Sequence, residues 1–360
     1  MNYLQKRKLI KSSFEIPVLG FGSAPLRMSN KNINNQSSDI LINNALNLGL
    51  NYFDTAPWYG LGRCEHRLGS VLRETDRNKF IISTKVGRIL KKNKPKEQPD
   101  VEYAFWKNEF CPFDKSLKFY VKFDYTYDGI LRSYEDSIQR LGFGKLDMLI
   151  IHDLDFYYHN SEEKVNFYLD QLDKKNGWKA LEELRNSGEI SAIGVGINQD
   201  GLIPYFIPRF DLDFFLVAMP YTLLRQNVLF TEFPLCQKNN VNIIIGAPYS
   251  SGILATGIKG NDTFEYGSGP TYNYKKPRQE ILDKIKIIEK ICNDFETTIG
   301  AISLQFPLLH PSVVSVIPGV VNEQQIKSNI ENLSKKIPKE LWEQLKKQLI
   351  IREDSPTEYF

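Results

Sequence analysis

Hydrophobic residues in this chain occur in short, nearly continuous runs, and most of the runs are separated by longer amphipathic segments. Parallel strands that are covered on both faces give continuous apolar runs, whereas strands with one solvated face alternate. The runs that we interpret as strands span residues 16–22, 50–55, 80–87, 146–153, 190–196, 214–220, 241–248 and 313–319. The pattern therefore predicts eight buried parallel strands.

The segments between these runs have helical periodicity, for example at 38–49, 134–142 and 178–188. Gly49 and Gly188 follow the first and the last of these, at the position where a glycine commonly ends a helix. The alternation predicts one strand followed by one helix along most of the chain.

Eight β-then-α units in 360 residues favour an α/β fold, the (β/α)₈ TIM barrel, as a single domain over residues 1–360. We expect an N-terminal hairpin and long loops after strand three (88–127) and strand four (154–177). A doubly wound sheet is the alternative, but its G-x-G-x-x-G loop is missing. The glycine pairs at 20–22, 60–62 and 194–196 all lack the third glycine.

The loop after strand three is rich in aromatic residues, which disordered segments usually lack. Its aromatic residues are Tyr103, Phe105, Trp106, Phe110, Phe113, Phe119, Tyr120, Phe123 and Tyr125. We interpret the segment as an ordered lid over the barrel.

Composition excludes several classes of function. The net charge is +3 and charges of both signs are interspersed, which does not indicate nucleic-acid binding. No apolar run is long enough to predict a membrane span. The four cysteines show neither disulfide nor zinc spacing, so we expect no metal and a cytoplasmic location. The oligomeric state is left open.

Four polar residues lie where predicted strands two, three and four end. They are Asp54, Tyr59, Lys85 and His152. Active sites of TIM barrels lie at the C-terminal ends of the strands, and neighbouring strands are about 4.8 Å apart. We therefore expect these side chains to converge. His66, His159 and His310 have no comparable setting.

Such a cluster can transfer a proton. An ammonium about 4 Å from a phenol is worth roughly 4 kcal/mol, so Lys85 could lower the pKa of Tyr59 to roughly 7–9 against desolvation. Asp54 would keep Lys85 charged, and His152 could hydrogen-bond a substrate oxygen.

The segments "NYFDTAPWYGLGRCEHRLG", "STKVG" and "DMLIIHD" resemble the aldo-keto reductase superfamily over nearly the whole chain. The resemblance implies a catalytic tetrad of Asp54, Tyr59, Lys85 and His152, with Tyr59 as general acid/base. More narrowly, "KFDYTYDGILRSYEDSIQRLG" and "GVGINQ" are similar to the branch of aldose 1-dehydrogenases, which includes pyridoxal 4-dehydrogenase and L-galactose dehydrogenase.

The resemblance also implies a dinucleotide across the barrel mouth. Candidate cofactor-binding residues are Gly22, Ser23, Asn198, Tyr221, Tyr249, Gly319, Glu323, Gln325 and Asn329. Two features depart from the superfamily pattern. The usual Ser-Asn after strand five is replaced by Gly196-Ile197-Asn198, which shifts the amide-binding residue to Asn198. The stacking aromatic after strand seven aligns with Gly246, so Tyr221 or Tyr249 would substitute. Gly22 and Gly319 can also be interpreted as tight-turn glycines.

The function implied is oxidation of a free aldose, of the L-fucose or D-threo-aldose type, at C1 to the lactone. Trp58 is the expected stacking residue for the sugar. The cofactor is expected to be NAD rather than NADP, because residues 319–325 contain no cation for a 2′-phosphate. Lys327, or a lysine from a long loop, is the alternative partner for that phosphate.

Three other functions stay open. The same fold could act on pyridoxal or another aldehyde or alcohol, Lys85 could form a Schiff base in an aldolase, or the chain could be an accessory subunit of a channel.

Overall fold

The computed structural model describes residues 1–28, 33–92, 117, 119–260 and 269–358. Within them, eight parallel strands form one sheet, in which the strands lie side by side in the order of the chain. Parallel bridges between Leu19 and Val316 and between Gly22 and Gly319 join the two outer strands and close the sheet. The fold is the predicted (β/α)₈ barrel.

The barrel strands and two flanking hairpins have these bounds: β1 Lys6–Lys8, β2 Glu15–Pro17, β3 Phe21–Gly22, β4 Tyr52–Asp54, β5 Ile81–Val86, β6 Arg88–Lys91, β7 Tyr120–Phe123, β8 Met148–His152, β9 Ala192–Ile197, β10 Phe214–Ala218, β11 Asn242–Gly246 and β12 Val313–Ile317. The α-helices are α1 Asn35–Asn47, α2 Arg63–Leu72, α3 Tyr127–Leu141, α4 Phe156–His159, α5 Glu162–Lys174, α6 Gly177–Asn186, α7 Ile203–Phe206, α8 Val228–Thr231, α9 Phe233–Lys238, α10 Ile253–Thr256, α11 Gln279–Asp294, α12 Ile299–Gln305, α13 Glu323–Ser334 and α14 Lys339–Lys347.

The hairpin β1–β2 covers the end of the barrel where the strands begin. Its Leu9 and Ile16 are fully buried and belong to the same apolar cluster as the barrel-interior residues Met148 and Phe214. The backbone N–H of Ile10 donates to the side chain of Asn242, which begins β11 (2.7 Å). This end is therefore sealed by protein, and the opposite end carries the polar side chains.

In the interior of the barrel, side chains pack directly against the backbone of neighbouring strands. Phe214 lies opposite Gly194 in the β9–β10 register. A Cβ at Gly194 would come within 2.4 Å of the Phe214 ring. The glycine is thus required for the ring to occupy the interior, in agreement with the close packing of protein cores.

The helix ends agree with the sequence signals. Gly49 and Gly188 both have a φ in the left-handed region, directly after α1 and α6. Thr126 accepts a hydrogen bond from the N–H of Gly129 and caps α3. Glycine and threonine at these positions satisfy backbone groups that a helix leaves unpaired.

Three predicted segments differ in detail. The run 16–22 is divided between hairpin strand β2 and barrel strand β3, because its first residues pair with Lys6–Lys8. Residues 154–177, expected as a long loop, contain α4 and α5. Of the segment 88–127, β6 and β7 form an antiparallel hairpin, and most of the expected aromatic lid lies outside the described residues.

Among the helices that the structure describes, none is both long and apolar enough to cross a membrane.

Candidate active site

Asp54 and Lys85 form an ion pair between the C-terminal ends of β4 and β5. The Lys85 ammonium donates to Oδ2 of Asp54 and to the carbonyl oxygen of Thr55, at 2.8 Å each. The Ser83 hydroxyl donates to Oδ1 of Asp54 at 2.8 Å. Both charged side chains are buried. A buried ion pair needs such additional hydrogen bonds to offset desolvation, and they fix the direction of the ammonium.

Tyr59 lies between Lys85 and His152. The Lys85 ammonium is 4.7 Å from the centroid of the Tyr59 ring. The imidazole of His152 meets the same ring edge-on, with 5.9 Å between the centroids. The four residues that were expected to converge therefore do so at one end of the barrel.

The pKa of Tyr59 moves in the opposite direction from the one expected from the sequence. Burial raises this pKa well above its ordinary value, and the charges of Asp54 and Asp153 raise it further. The expected value of roughly 7–9 is therefore wrong for the protein alone. Lys85 and Asp54 form a nearly neutral pair, so the ammonium charge is not available to Tyr59 in full.

His152 is neutral at ordinary pH. Burial lowers its pKa to about 3, against the opposing effect of Asp153. Nε2 of His152 lies 3.2 Å from Oδ2 of Asp153. Burial works against ionisation of Asp153, but contacts with His152, Arg88 and Asn198 outweigh it and hold the pKa of Asp153 below its ordinary value.

Asn198 bridges two buried carboxylates. Its amide Nδ2 donates to Asp153 (2.8 Å) and to Asp155 (3.1 Å). Burial and the nearby Asp153 raise the pKa of Asp155 to about 7. The amide N–H groups of Asn198 are thus turned toward the acidic pair, which leaves its carbonyl oxygen for a ligand.

Arg88 lies at the site and Tyr274 acts on it electrostatically, but both were missed in the sequence. Arg88 is buried and lies over the ring of Trp58 (5.1 Å to the centroid). Tyr274 contributes to the raised pKa of both Tyr59 and Tyr158, after burial as the main cause. Arg88 directly follows the "TKVG" segment, so its position was a usable signal. Tyr274 follows a poorly patterned loop that gave none.

The strand ends next to Asp54 suit a cofactor. Gly22 and Gly319 pair across the barrel seam, and a Cβ at Gly319 would lie 2.7 Å from the ring of Pro25. Close backbone packing therefore requires glycine there. The Ser23 hydroxyl is buried and has no hydrogen-bond partner among the described residues, while the Ser23 N–H donates to the Asp54 carbonyl (3.0 Å). An unpaired hydroxyl beside the tetrad is suited to a ligand group.

The two candidate stacking tyrosines differ. Tyr221 is fully buried and packs against Phe233 and Phe306, at 5.0 and 5.2 Å between centroids. Both partners belong to the helical layer around the barrel, so of the two candidates Tyr221 is not placed to substitute for the stacking aromatic. The Tyr249 hydroxyl donates to Oδ1 of Asn329 (2.8 Å), which joins the loop after β11 to α13.

The polar side chains at the start of α13 are bonded to other groups of the protein. Glu323 pairs with Lys327 (2.6 Å) and accepts a hydrogen bond from Asn44 (2.8 Å). The side-chain oxygen of Gln325 accepts from the N–H of Val321 (2.8 Å). Lys327, the alternative cation for a 2′-phosphate, forms a solvent-exposed ion pair with Glu323, and such pairs contribute little energy.

In the described part of the chain, no three His, Cys, Asp or Glu side chains are grouped as a metal site would require.

Comparison with known proteins identifies the family. The model of the Aldo/keto reductase family matches residues 18–350. The chain belongs to this family. It is therefore an oxidoreductase, and aldo/keto reductases use nicotinamide cofactors.

Two curated relatives are similar over nearly their full lengths. Pyridoxal 4-dehydrogenase of Microbacterium luteolum is 35% identical, covering 96% of this chain and 98% of its own. D-threo-aldose 1-dehydrogenase of Pseudomonas sp. is 31% identical, covering 93% of this chain and 95% of its own. These relatives agree with the branch expected from the sequence.

A solved structure supports the fold. A holo aldo-keto reductase from Bacillus halodurans superposes with a TM-score of 0.69 at 20% identity, covering 98% of this chain and 99% of its own. At this identity the likeness concerns the fold alone.

Proposed function

We propose that this aldo/keto reductase oxidises a free aldose at C1, with Tyr59 as the proton acceptor. The observation that carries the proposal is the position of the Tyr59 ring between the Lys85 ammonium (4.7 Å) and the His152 imidazole. A phenol that lies close to both a cation and a neutral hydrogen-bonding ring is arranged for proton exchange with a substrate oxygen.

Each residue has a distinct part in this reaction. His152, neutral and buried, holds the anomeric oxygen. Tyr59, as the phenolate that Lys85 stabilises, accepts the proton of that hydroxyl and becomes the neutral phenol. Asp54 keeps Lys85 charged and in place through the 2.8 Å contact. A bound oxidised nicotinamide would supply the hydride acceptor, and its positive charge would favour the phenolate.

The cofactor residues follow from the same end of the barrel. Ser23 offers its unpaired hydroxyl, and Asn198 offers its side-chain carbonyl oxygen. Tyr249, in the loop after β11, and Asn329, in α13, complete the proposed set. NAD is the proposed cofactor, because residues 319–325 contain no Lys or Arg and Lys327 is paired with Glu323. Each missing charged hydrogen bond to a 2′-phosphate is worth roughly 1.5–3 kcal/mol.

The choice of an aldose rests on the wall of the site. Trp58 and Tyr158 are aromatic residues near the tetrad, with Arg88 lying over both rings, and Asp153 and Asn198 supply polar groups. Sugars present C–H faces to aromatic rings and hydroxyls to carboxylates. Similarity to D-threo-aldose 1-dehydrogenase supports this choice.

Pyridoxal is the second candidate substrate. A pyridoxal dehydrogenase is the relative at 35% identity, and the same aromatic wall can accept a pyridine ring. We propose a reducing, cytoplasmic setting for either reaction; Cys64, Cys236 and Cys292 are free thiols in the structure.

A panel assay tests the proposal. Purified protein is mixed with NAD and with L-fucose, D-arabinose, L-galactose or pyridoxal, and formation of reduced cofactor is followed by absorbance. We expect oxidation of at least one free aldose at millimolar concentration. Activity with pyridoxal alone would favour the second candidate, and no activity on the whole panel would contradict both.

A further inference from the structure

The two ring nitrogens of His152 have different surroundings. Its Nε2 lies 3.2 Å from Oδ2 of Asp153, while its Nδ1 is buried without a hydrogen-bond partner among the described residues. A neutral imidazole carries one proton, and the tautomer is set by whichever ring nitrogen finds an acceptor.

The carboxylate of Asp153 is held from three sides. Arg88 donates from Nη2 to its Oδ2 (2.8 Å), and Asn198 donates to its Oδ1 (2.8 Å). Its own backbone has φ +46°, in the left-handed region that non-glycine residues rarely adopt. The side chain is therefore fixed against His152 by contacts on both oxygens and by its backbone.

Arg88 is committed to Asp153. It is 1% exposed, and its guanidinium carbon lies 5.1, 5.4 and 4.2 Å from the ring centroids of Trp58, Phe123 and Tyr158. Its Nε and Nη1 atoms find no hydrogen-bond acceptor within the described ranges. The rings exclude water from the cation, so Asp153 is the carboxylate that balances its charge.

The other groups near His152 do not compete for its proton. Lys85 is a donor and is engaged by Asp54, and the Tyr59 ring meets the imidazole edge-on. Asp155 turns its oxygens to Asn198 and to the N–H of Tyr158. Asp153 is thus the acceptor that faces the ring.

We infer that Asp153, clamped by Arg88, is a positioning residue that fixes His152 as the tautomer with its proton on Nε2. In this form the Nε2 proton lies on the Asp153 side of the ring, and a substrate oxygen that approaches Nε2 would share it with Asp153. The use of that donor rests on the proposed function, whereas the tautomer itself does not.

The tautomer is measured directly by NMR. The full-length protein is labelled with ¹⁵N-histidine, and ring nitrogen–proton correlations are recorded near pH 7.5 without substrate. The sequence has four histidines, and a His152→Gln sample assigns the His152 signals. We expect the Nε2–H tautomer. The Nδ1–H tautomer in the unaltered protein would overturn the inference before any further variant is made.

Asp153→Asn is the variant that tests the cause, because asparagine keeps the size of the side chain and tolerates a left-handed backbone. We expect a mixed or inverted His152 tautomer and a kcat at least tenfold lower. Arg88→Met should move the tautomer in the same direction by a smaller amount.

The matched control is Asp147→Asn, which removes another buried aspartate paired with an arginine, at the opposite end of β8. A purely structural pair would lower stability in both variants and leave the tautomer unchanged in both, which would overturn the inference. A tautomer that shifts in Asp153→Asn, in a protein that oxidises no aldose, would support the inference and contradict the proposed function alone.

Discussion

The two ends of strand β8 carry the same pair of residue types in different surroundings. Before the strand, Asp147 accepts hydrogen bonds from Arg77 (2.6 Å) and from the N–H of Ile82 (2.8 Å). After it, Asp153 accepts from Arg88 and lies against His152. Asp147 therefore makes its second contact with the backbone of a neighbouring strand. Asp153 instead contacts an ionisable ring.

The two surroundings indicate a structural role for Asp147 and a role in the chemistry of the site for Asp153. The Arg77 side chain is 28% exposed and the Arg88 side chain 0%. Burial raises the pKa of Asp147 although Arg77 opposes it, whereas the contacts of Asp153 lower its pKa despite burial. In TIM barrels the strand-start end supports stability and the strand-end face supports catalysis. Variants at the two ends should therefore fail in different ways.

The largest expected effect is that of Tyr59→Phe. Removing the hydroxyl deletes the proton acceptor, and we expect kcat to fall by about 10³-fold or more while cofactor binding survives. Steady-state kinetics and fluorescence titration with reduced cofactor measure the two quantities. The control is Tyr134→Phe, which deletes a hydroxyl bonded to Glu189 on the outer layer (2.8 Å) and should leave kcat unchanged. Near-normal turnover in Tyr59→Phe would end the proposed mechanism.

Lys85→Met removes a cation at the end of the barrel where the strands end. Arg77→Met removes one at the end where the strands begin. Lys85→Met should lower kcat by about 100-fold and move the oxidative pH optimum upward, because the phenolate of Tyr59 loses its cation. Arg77→Met should leave kcat unchanged and lower the free energy of unfolding by about 2 kcal/mol, because Asp147 loses its partner. Kinetics at several pH values and urea unfolding of both variants compare them. An Arg77→Met protein as inactive as Lys85→Met would contradict the division between the ends.

Much of this arrangement could be predicted from the sequence. Continuous apolar runs gave the eight strands, and the rule that strand ends meet at one face gave the cluster of Asp54, Lys85 and His152. The helices within 154–177 could also have been found, since Ser161 caps α5 as a serine before a helix commonly does.

Other features depend on tertiary packing. The pKa of Tyr59 was predicted to fall, whereas it rises. The sequence pattern indicates which charges lie nearby but not how deeply the phenol is buried. Tyr221 packs against Phe233 and Phe306, and the sequence motif does not reveal these contacts. The contact between Arg88 and Asp153 spans 65 residues, and no local pattern relates the two.

Two buried histidines give the next prediction, one at each end. Burial lowers the pKa of His152 to about 3 and that of His310, near the start of β12, to about 4. A depressed histidine pKa means that the unfolded chain binds the proton first. Stability is therefore complete above about pH 6.5 and is lost as the pH falls toward these values. By pH 5, each histidine should lower the free energy of unfolding by up to about 2 kcal/mol.

Asp155 works in the opposite direction, because its raised pKa favours the folded state as the pH falls below about 7. The readout is therefore a difference between variants. His310→Asn keeps an acceptor for the N–H of Ser312 and should reduce the loss between pH 7.5 and pH 5 by up to about 2 kcal/mol. Urea unfolding at both pH values measures it, and an unchanged loss would contradict the assignment for His310.

The smallest effect expected is on cofactor choice. Gln325→Arg places a cation within the segment that follows β12, and we expect the ratio of kcat/KM for NADP over NAD to rise about tenfold. The control is Gln324→Arg, which adds the same charge at the neighbouring, exposed position of α13. Before substitution, NAD should be preferred by about tenfold or more. A protein that already prefers NADP would contradict our interpretation of this segment.

The most direct test of the account follows the hydrogen at C1. L-fucose, or whichever aldose the panel identifies, is prepared with deuterium at C1 and incubated with the enzyme and NAD, and the reduced cofactor is examined by mass spectrometry. We predict that one deuterium is transferred to the nicotinamide and that the sugar product is the lactone or its aldonic acid. Reduced cofactor that forms from this sugar without deuterium would contradict oxidation at C1 and with it the role proposed for Tyr59.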